Sequence, residues 1–284
     1  MMFQSTRWAK EITALQQPDG LWGNFHALSV PLKGSYTTEQ ALRRLEILGF
    51  TIGHDCVARA VSYMHDCLIG KKTMPDCREV THDWDIFTDL MLATWIRRFT
   101  DDDDAANNVA DRWAGIISGA FSGGGYSHKS YLAAYEKEFN QPARGGRLID
   151  PVNFYVVSLV ADVMDIHAEH SWFEHIINHE QGIYYFGYKD KLSVLPASFK
   201  DRQTVKFIRS AMLLSEYRNQ RKQLAFVADW LISNRHNGEW DLGSVAKDGI
   251  LFPLSDSWKN EQTRTADCTC VLTGLLTAIT AFQQ

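Results

Sequence analysis

A short turn that ends one helix-like stretch and leads towards another recurs along this chain, and it constrains the fold more than any other feature. Gln16-Gln17-Pro18-Asp19-Gly20-Leu21-Trp22 closes a helical stretch over Arg7 to Gln16. Asn178-His179-Glu180-Gln181-Gly182-Ile183-Tyr184 and Asn234-Arg235-His236-Asn237-Gly238-Glu239-Trp240 repeat the pattern, and a weaker copy runs from Ala120 through Gly124 to Tyr126. Each has an amide or small residue, three residues, glycine, one residue, then an aromatic. Glycine permits the φ > 0 geometry that ends a helix, and the aromatic two places on can fold back onto that helix. The amide can bond exposed backbone groups at the same end. A second helix follows the first copy: Thr37 and Gln40 have capping-box spacing, Ala41, Leu42, Leu45 and Leu48 form one apolar stripe, and Gly49 can close it. Further second helices are expected over Arg202 to Tyr217 and Thr263 to Phe282, the latter after a helix from Arg221 to Ser233. The segment from Cys56 to Phe99 is helical without such a turn.

The two helices of each pair differ in character. First helices are amphipathic, whereas Ile86 to Ile96, Phe154 to Met164 and Cys268 to Ile279 are apolar nearly all round, the pattern of a buried helix. Alternation of the two kinds predicts two concentric layers with the second helices inside. An all-α fold follows, an α/α toroid of five to six helical hairpins forming one domain over residues 1–284; a solenoid of stacked pairs is the structural alternative.

Gln16-x-x-x-Gly20-x-Trp22 resembles the core of the QW motif of squalene–hopene-type cyclases, with Asn234 to Trp240 a near variant. Asp267-Cys268-Thr269-Cys270-Val271-Leu272-Thr273-Gly274-Leu275 looks like the inner helix near the end of protein prenyltransferase β subunits. The resemblance implies an isoprenoid-handling toroid with an aromatic lumen. In a closed barrel the inner helices would start together at the turn end, and helix N-termini favour anions such as a diphosphate. Arg78, Arg202, Lys206, Lys259 and Arg264 lie near those starts, with Arg202 and Arg264 taken as substrate-binding. Trp84, Phe87, Trp95, Phe154, Tyr155 and Phe207 are the expected aromatic surface. Asp83-Trp84-Asp85 sits where family cyclases place an Asp-x-Asp-Asp acid motif, but the fourth position here is Ile86; acidic capping of a helix start is the plain alternative. Asp83, Asp85 and Asp267 are the candidate catalytic residues. Asp101-Asp102-Asp103-Asp104 matches the acid motif by letters only and reads as a solvated cap. Prenyltransferases bind zinc through Asp, Cys and His, yet Asp267 falls where the family's His ligand lies. Mg or Zn is therefore left open, with no complete metal motif and no metal ligands assigned. His175 and His179 share a helix face at zinc-compatible spacing without an evident third ligand.

Composition narrows the partners. Net charge is −5, from 29 basic and 34 acidic residues, and no basic stretch tracks a nucleic-acid backbone. Arg7, Lys10 and Glu11 interrupt any apolar signal-peptide core, and no run approaches the roughly 18 apolar residues of a membrane span. The five cysteines follow no secreted spacing, which points to a reducing cytoplasm. Whether the chain is an active enzyme stays open. Its rivals to an isoprenoid enzyme are a carbohydrate-active (α/α)6 barrel with paired carboxylates and aromatic sugar platforms, and a non-catalytic toroid binding module. No protein partner is indicated.

Overall fold

The computed structural model describes residues 3–26, 36–76, 82–143 and 148–281. Among them the fold is all-helical, with no strand: β pairing is limited to isolated bridges, such as Asn153 with Tyr184. No helix among the described residues is long and apolar enough to cross a membrane. The chain forms two compact units. One holds Met1–Ala110, Arg144–Ile149 and Leu254–Asp256; the other holds Asp111–Ala143, Asp150–Pro253 and Ser257–Gln284.

In the first unit, α1 (Arg7–Ala14) leads through the first turn to α2 (Thr38–Ile47), and α3 (Asp55–Leu68) packs on α4 (Trp84–Arg97). The expected capping box at Thr37 and Gln40 is present, with Gln40 N donating to Thr37 Oγ1 at 3.3 Å and Thr37 N donating to Gln40 Oε1 at 3.1 Å. Gly49, at φ +87°, lets Phe50 N return to Leu45 O at 3.0 Å and closes α2. As its composition requires, α4 is buried on all sides over residues 90–96, with Ile86 and Phe87 buried in the turn before. Glu39 is sealed from solvent, where it accepts from Trp95 Nε1 at 3.1 Å and pairs with Arg43 at 3.2 Å. The acidic run before α5 (Asp104–Ala120) caps it: Asp103 takes Ala106 N at 2.9 Å and pairs with His65 at 2.7 Å.

The second unit contains α6 (His128–Phe139), α7 (Phe154–Leu159), α8 (Ile166–Ile177), α9 (Arg202–Leu214), α10 (Ala225–Ser233) and α11 (Glu261–Thr280). The helix expected over Phe154 to Met164 stops at Leu159. Four valines, at 156, 157, 160 and 163, weaken helix propensity, and Asp162 turns left-handed at φ +57°. The helix expected from Arg221 begins instead as a 3-10 segment, Arg218–Leu224, which packs on α8 and α11. Expected to be buried all round, α11 buries one stripe: Asp267, Cys268, Leu272, Leu275 and Ile279. Cys270, Thr273, Gly274 and Thr277 are exposed, because small and hydroxylated residues occupy that face.

Candidate functional site

The turns position the site, so their bonds come first. In the first turn Gln16 Nε2 donates to Gly20 O and to Cys56 O, both at 2.7 Å. Gly20 has φ +101°, and a Cβ there would lie 2.8 Å from Arg59 O, so glycine is required twice over. Trp22 is fully buried; its Nε1 donates to Ile12 O at 2.7 Å in α1 and its backbone N to Thr38 Oγ1 at 3.0 Å in α2. Trp240 repeats both bonds, with Nε1 donating to Leu231 O at 2.7 Å in α10 and N donating to Thr269 Oγ1 at 3.0 Å in α11. There the glycine sits in a two-residue hairpin, Asn237 and Gly238 both at positive φ, closed by reciprocal His236–Glu239 backbone bonds of 2.9 Å. The middle turn departs from this plan. Tyr184 is 56% exposed, and its backbone instead bonds Val152 O and Phe154 N at the start of α7.

The third turn lines a cleft of about 350 Å³ in the second unit, walled by Phe199, Lys200, His236, Glu239, Asp241 and Glu261, among others. Its hub is Asp241, directly after Trp240. Arg264, on the first turn of α11, donates to it through Nε at 2.7 Å and Nη2 at 3.1 Å. Lys200, just before α9, adds Nζ at 2.8 Å, and Gly243 N donates at 2.9 Å. Arg264 above all holds the Asp241 carboxyl well below the usual carboxylate range, against the opposing effect of burial. The starts of α9 and α11 thus meet at the turn, with two charges of the same sign on one acid.

The sequence-derived residues fall in both units. In the first, Asp83 occupies the position before α4 without capping it, Asp85 is exposed on its first turn, and Trp84 is half-buried, 6.4 Å from Phe87. Phe87 is buried and stacked by His82 at 4.3 Å, and Trp95 is fully buried. In the second, Phe154 and Tyr155 start α7 with rings 5.2 Å apart, and Phe207 packs 5.5 Å from both Tyr188 and Trp230. All three are 3% exposed or less, so they serve as core packing in this state. Asp267 is buried on α11 and accepts from Trp258 Nε1 at 2.6 Å. Arg202 and Lys259 are exposed at helix starts, Lys206 lies beside Gly187, and Arg78 lies outside the described residues. Only Arg264 of this set stands in the cleft network; Lys200 and Asp241 lie outside the sequence-derived set, although Asp241 adjoins the repeated turn and Lys200 adjoins the Asp201 cap of α9.

Cys268 is buried, which pushes its thiol up to about 12, while Cys270 is exposed on another face of α11. His175 stacks on Tyr126 at 4.6 Å, and His179 Nδ1 lies 3.0 Å from Gly182 O. Among the described residues no group of three or more His, Cys, Asp or Glu side chains is placed to hold an ion. Comparison of the chain with protein-family models, with curated proteins and with solved structures finds no match.

Proposed function

We propose that this chain is an α/α toroid resembling the terpenoid cyclases and protein prenyltransferase β subunits, and that it binds a prenyl diphosphate at the turn end of its helices. The observation that supports this reading best is the matched bonding of Trp22 and Trp240, which gives the same local design to two hairpins over 200 residues apart. A ring of like hairpins needs such a unit, and the isoprenoid reading follows from the resemblance that the unit carries. Lys200 and Arg264 would meet the diphosphate oxygens through charge-assisted bonds. Phe199, on the wall of the same cleft, would meet the start of the hydrocarbon. Asp267 is the candidate acid that lies in the same unit as the cleft. The test is thermal unfolding with farnesyl and geranylgeranyl diphosphate, with and without Mg²⁺ or Zn²⁺. A ligand at about a hundred times its dissociation constant stabilises by about 2.7 kcal/mol, which shifts the midpoint visibly. A shift that disappears in Lys200→Ala and Arg264→Gln supports the assignment; no shift under any condition ends it.

A carbohydrate ligand is the second reading, favoured by the lining of the cleft. Asn234, Asn237, Glu239, Asp241 and Glu261 offer hydroxyl-binding groups beside the ring of Phe199. Oligosaccharides that raise the melting midpoint where prenyl diphosphates do not would establish this reading in place of the first.

A further inference from the structure

Resting on the reading that the turn end binds a diphosphate, we propose that Asp241 is an internal stand-in for that ligand, and that a diphosphate binds by taking Arg264 and Lys200 from it. The geometry is that of an occupied anion site. Arg264 presents two parallel N–H groups to the two oxygens of Asp241, at 2.7 and 3.1 Å, the fork a phosphate would accept equally well. Lys200 Nζ donates to Oδ2 of the same carboxylate at 2.8 Å.

The acid and Lys200 differ in freedom. Asp241 is held by Gly243 N and follows Trp240, whose indole is anchored on Leu231 O. Lys200 is 60% exposed, so its ammonium can turn to a ligand in the adjoining cleft without unburying anything. Arg264 and Asp241 are exposed only 15% and 16%, which strengthens their pairing over that of a surface pair.

The charge balance makes the stand-in selective. Lys200 and Arg264 pair with Asp241, Arg264 also lies 3.7 Å from Glu261, and Glu239 lines the same cleft, so the site has no positive charge to spare. A singly charged anion gains nothing by entering. A diphosphate, with several charges on linked groups, can engage both cations at once and displace the carboxylate. Asp241 is then a specificity-setting residue, which raises the ligand charge required for binding.

The experiment is calorimetric titration of inorganic diphosphate into the full chain, comparing wild type, Asp241→Asn and the double variant Asp241→Asn/Arg264→Gln, each first shown to be folded by its melting transition. Asp241→Ser serves as the second single variant should the asparagine fail to fold. Removing one carboxylate from a partly buried charge network is expected to tighten inorganic diphosphate about tenfold or more, and the double variant is expected to lose that gain. Single variants that bind no tighter, or a gain that survives loss of Arg264, would overturn the stand-in role. A gain with inorganic diphosphate in which farnesyl diphosphate binds no better than the inorganic ion keeps the stand-in and removes the isoprenoid reading. Absence of diphosphate binding in every variant removes both.

Discussion

At the scale of the residue, Trp22 and Trp240 do two jobs with one side chain. The ring fills the gap behind a helix, and the indole N–H gives a second, shorter bond to a carbonyl that the helix end otherwise holds at 3.2 Å through the backbone N–H of Leu15 or Asn234. The two jobs separate by mutation. Trp22→Phe keeps most of the apolar burial and leaves the Ile12 carbonyl with Leu15 N alone, at 3.2 Å, an expected loss of about 1 kcal/mol. Trp22→Ala also opens a cavity and is expected to cost about 3–5 kcal/mol. Tyr184→Ala, at the same place in the middle turn, should cost less than about 1 kcal/mol because that ring is mostly in solvent. Denaturant unfolding of the three variants checks the order; equal losses for Tyr184→Ala and Trp22→Ala would refute the difference drawn between the turns. Asp241 shows the other side of the residue scale. Nothing in its own sequence position marks it as a hub, because its partners Lys200 and Arg264 are 41 and 23 residues away.

At the scale of the element, glycine is decisive where geometry and space both demand it. Gly20→Ala must place a Cβ against Arg59 O at φ +101°, whereas Gly70, at φ +75°, opens onto empty space. Gly70→Ala is expected to cost about 1 kcal/mol for the left-handed backbone alone, and Gly20→Ala clearly more, since the backbone of α3 must move. Midpoints of chemical unfolding compare them directly. The features legible in the sequence are the ones that local chemistry decides: the Thr37–Gln40 capping box, the close of α2 at Gly49, and the apolar run of α4. Less legible were α7 and α11. A run of valines looks apolar enough for a long helix, but Asp162 is drawn out of it to bond Arg218 N at 2.8 Å, a contact set by tertiary structure. In α11 alanine, threonine and glycine count as apolar or neutral in a pattern, yet they leave one face of the helix bare. Three turns were visible as one motif, but which aromatic turns inward depends on whether a tryptophan or a tyrosine occupies the sixth place after the amide.

At the scale of the whole molecule, two groups in the second unit pull stability in opposite directions as pH changes. Burial, chiefly, keeps His175 below its ordinary value, with His179 adding to the effect. The unfolded chain therefore takes up that proton first, and stability is lost as pH falls below about 6.5 towards the folded value. Glu169 is raised, again mainly by burial, although Gln220 Nε2 and Asp162 N bond its oxygens at 3.2 and 3.1 Å. Its penalty sets in as pH rises through the usual glutamate value and is complete above the raised one. His175→Phe, which keeps the ring stack on Tyr126, should flatten the fall in melting temperature between pH 7 and 5. Glu169→Gln should help most near pH 7 and least near pH 4. Melting curves across that range test both, and an unchanged pH profile in either variant would contradict its assignment. The paired tryptophans have one more consequence. Each indole proton is shut inside a different unit and held by a carbonyl, so it exchanges with deuterium only when that unit opens. Two nuclear magnetic resonance signals, one from Trp22 and one from Trp240, therefore form a pair of clocks that time the opening of each half of the chain separately.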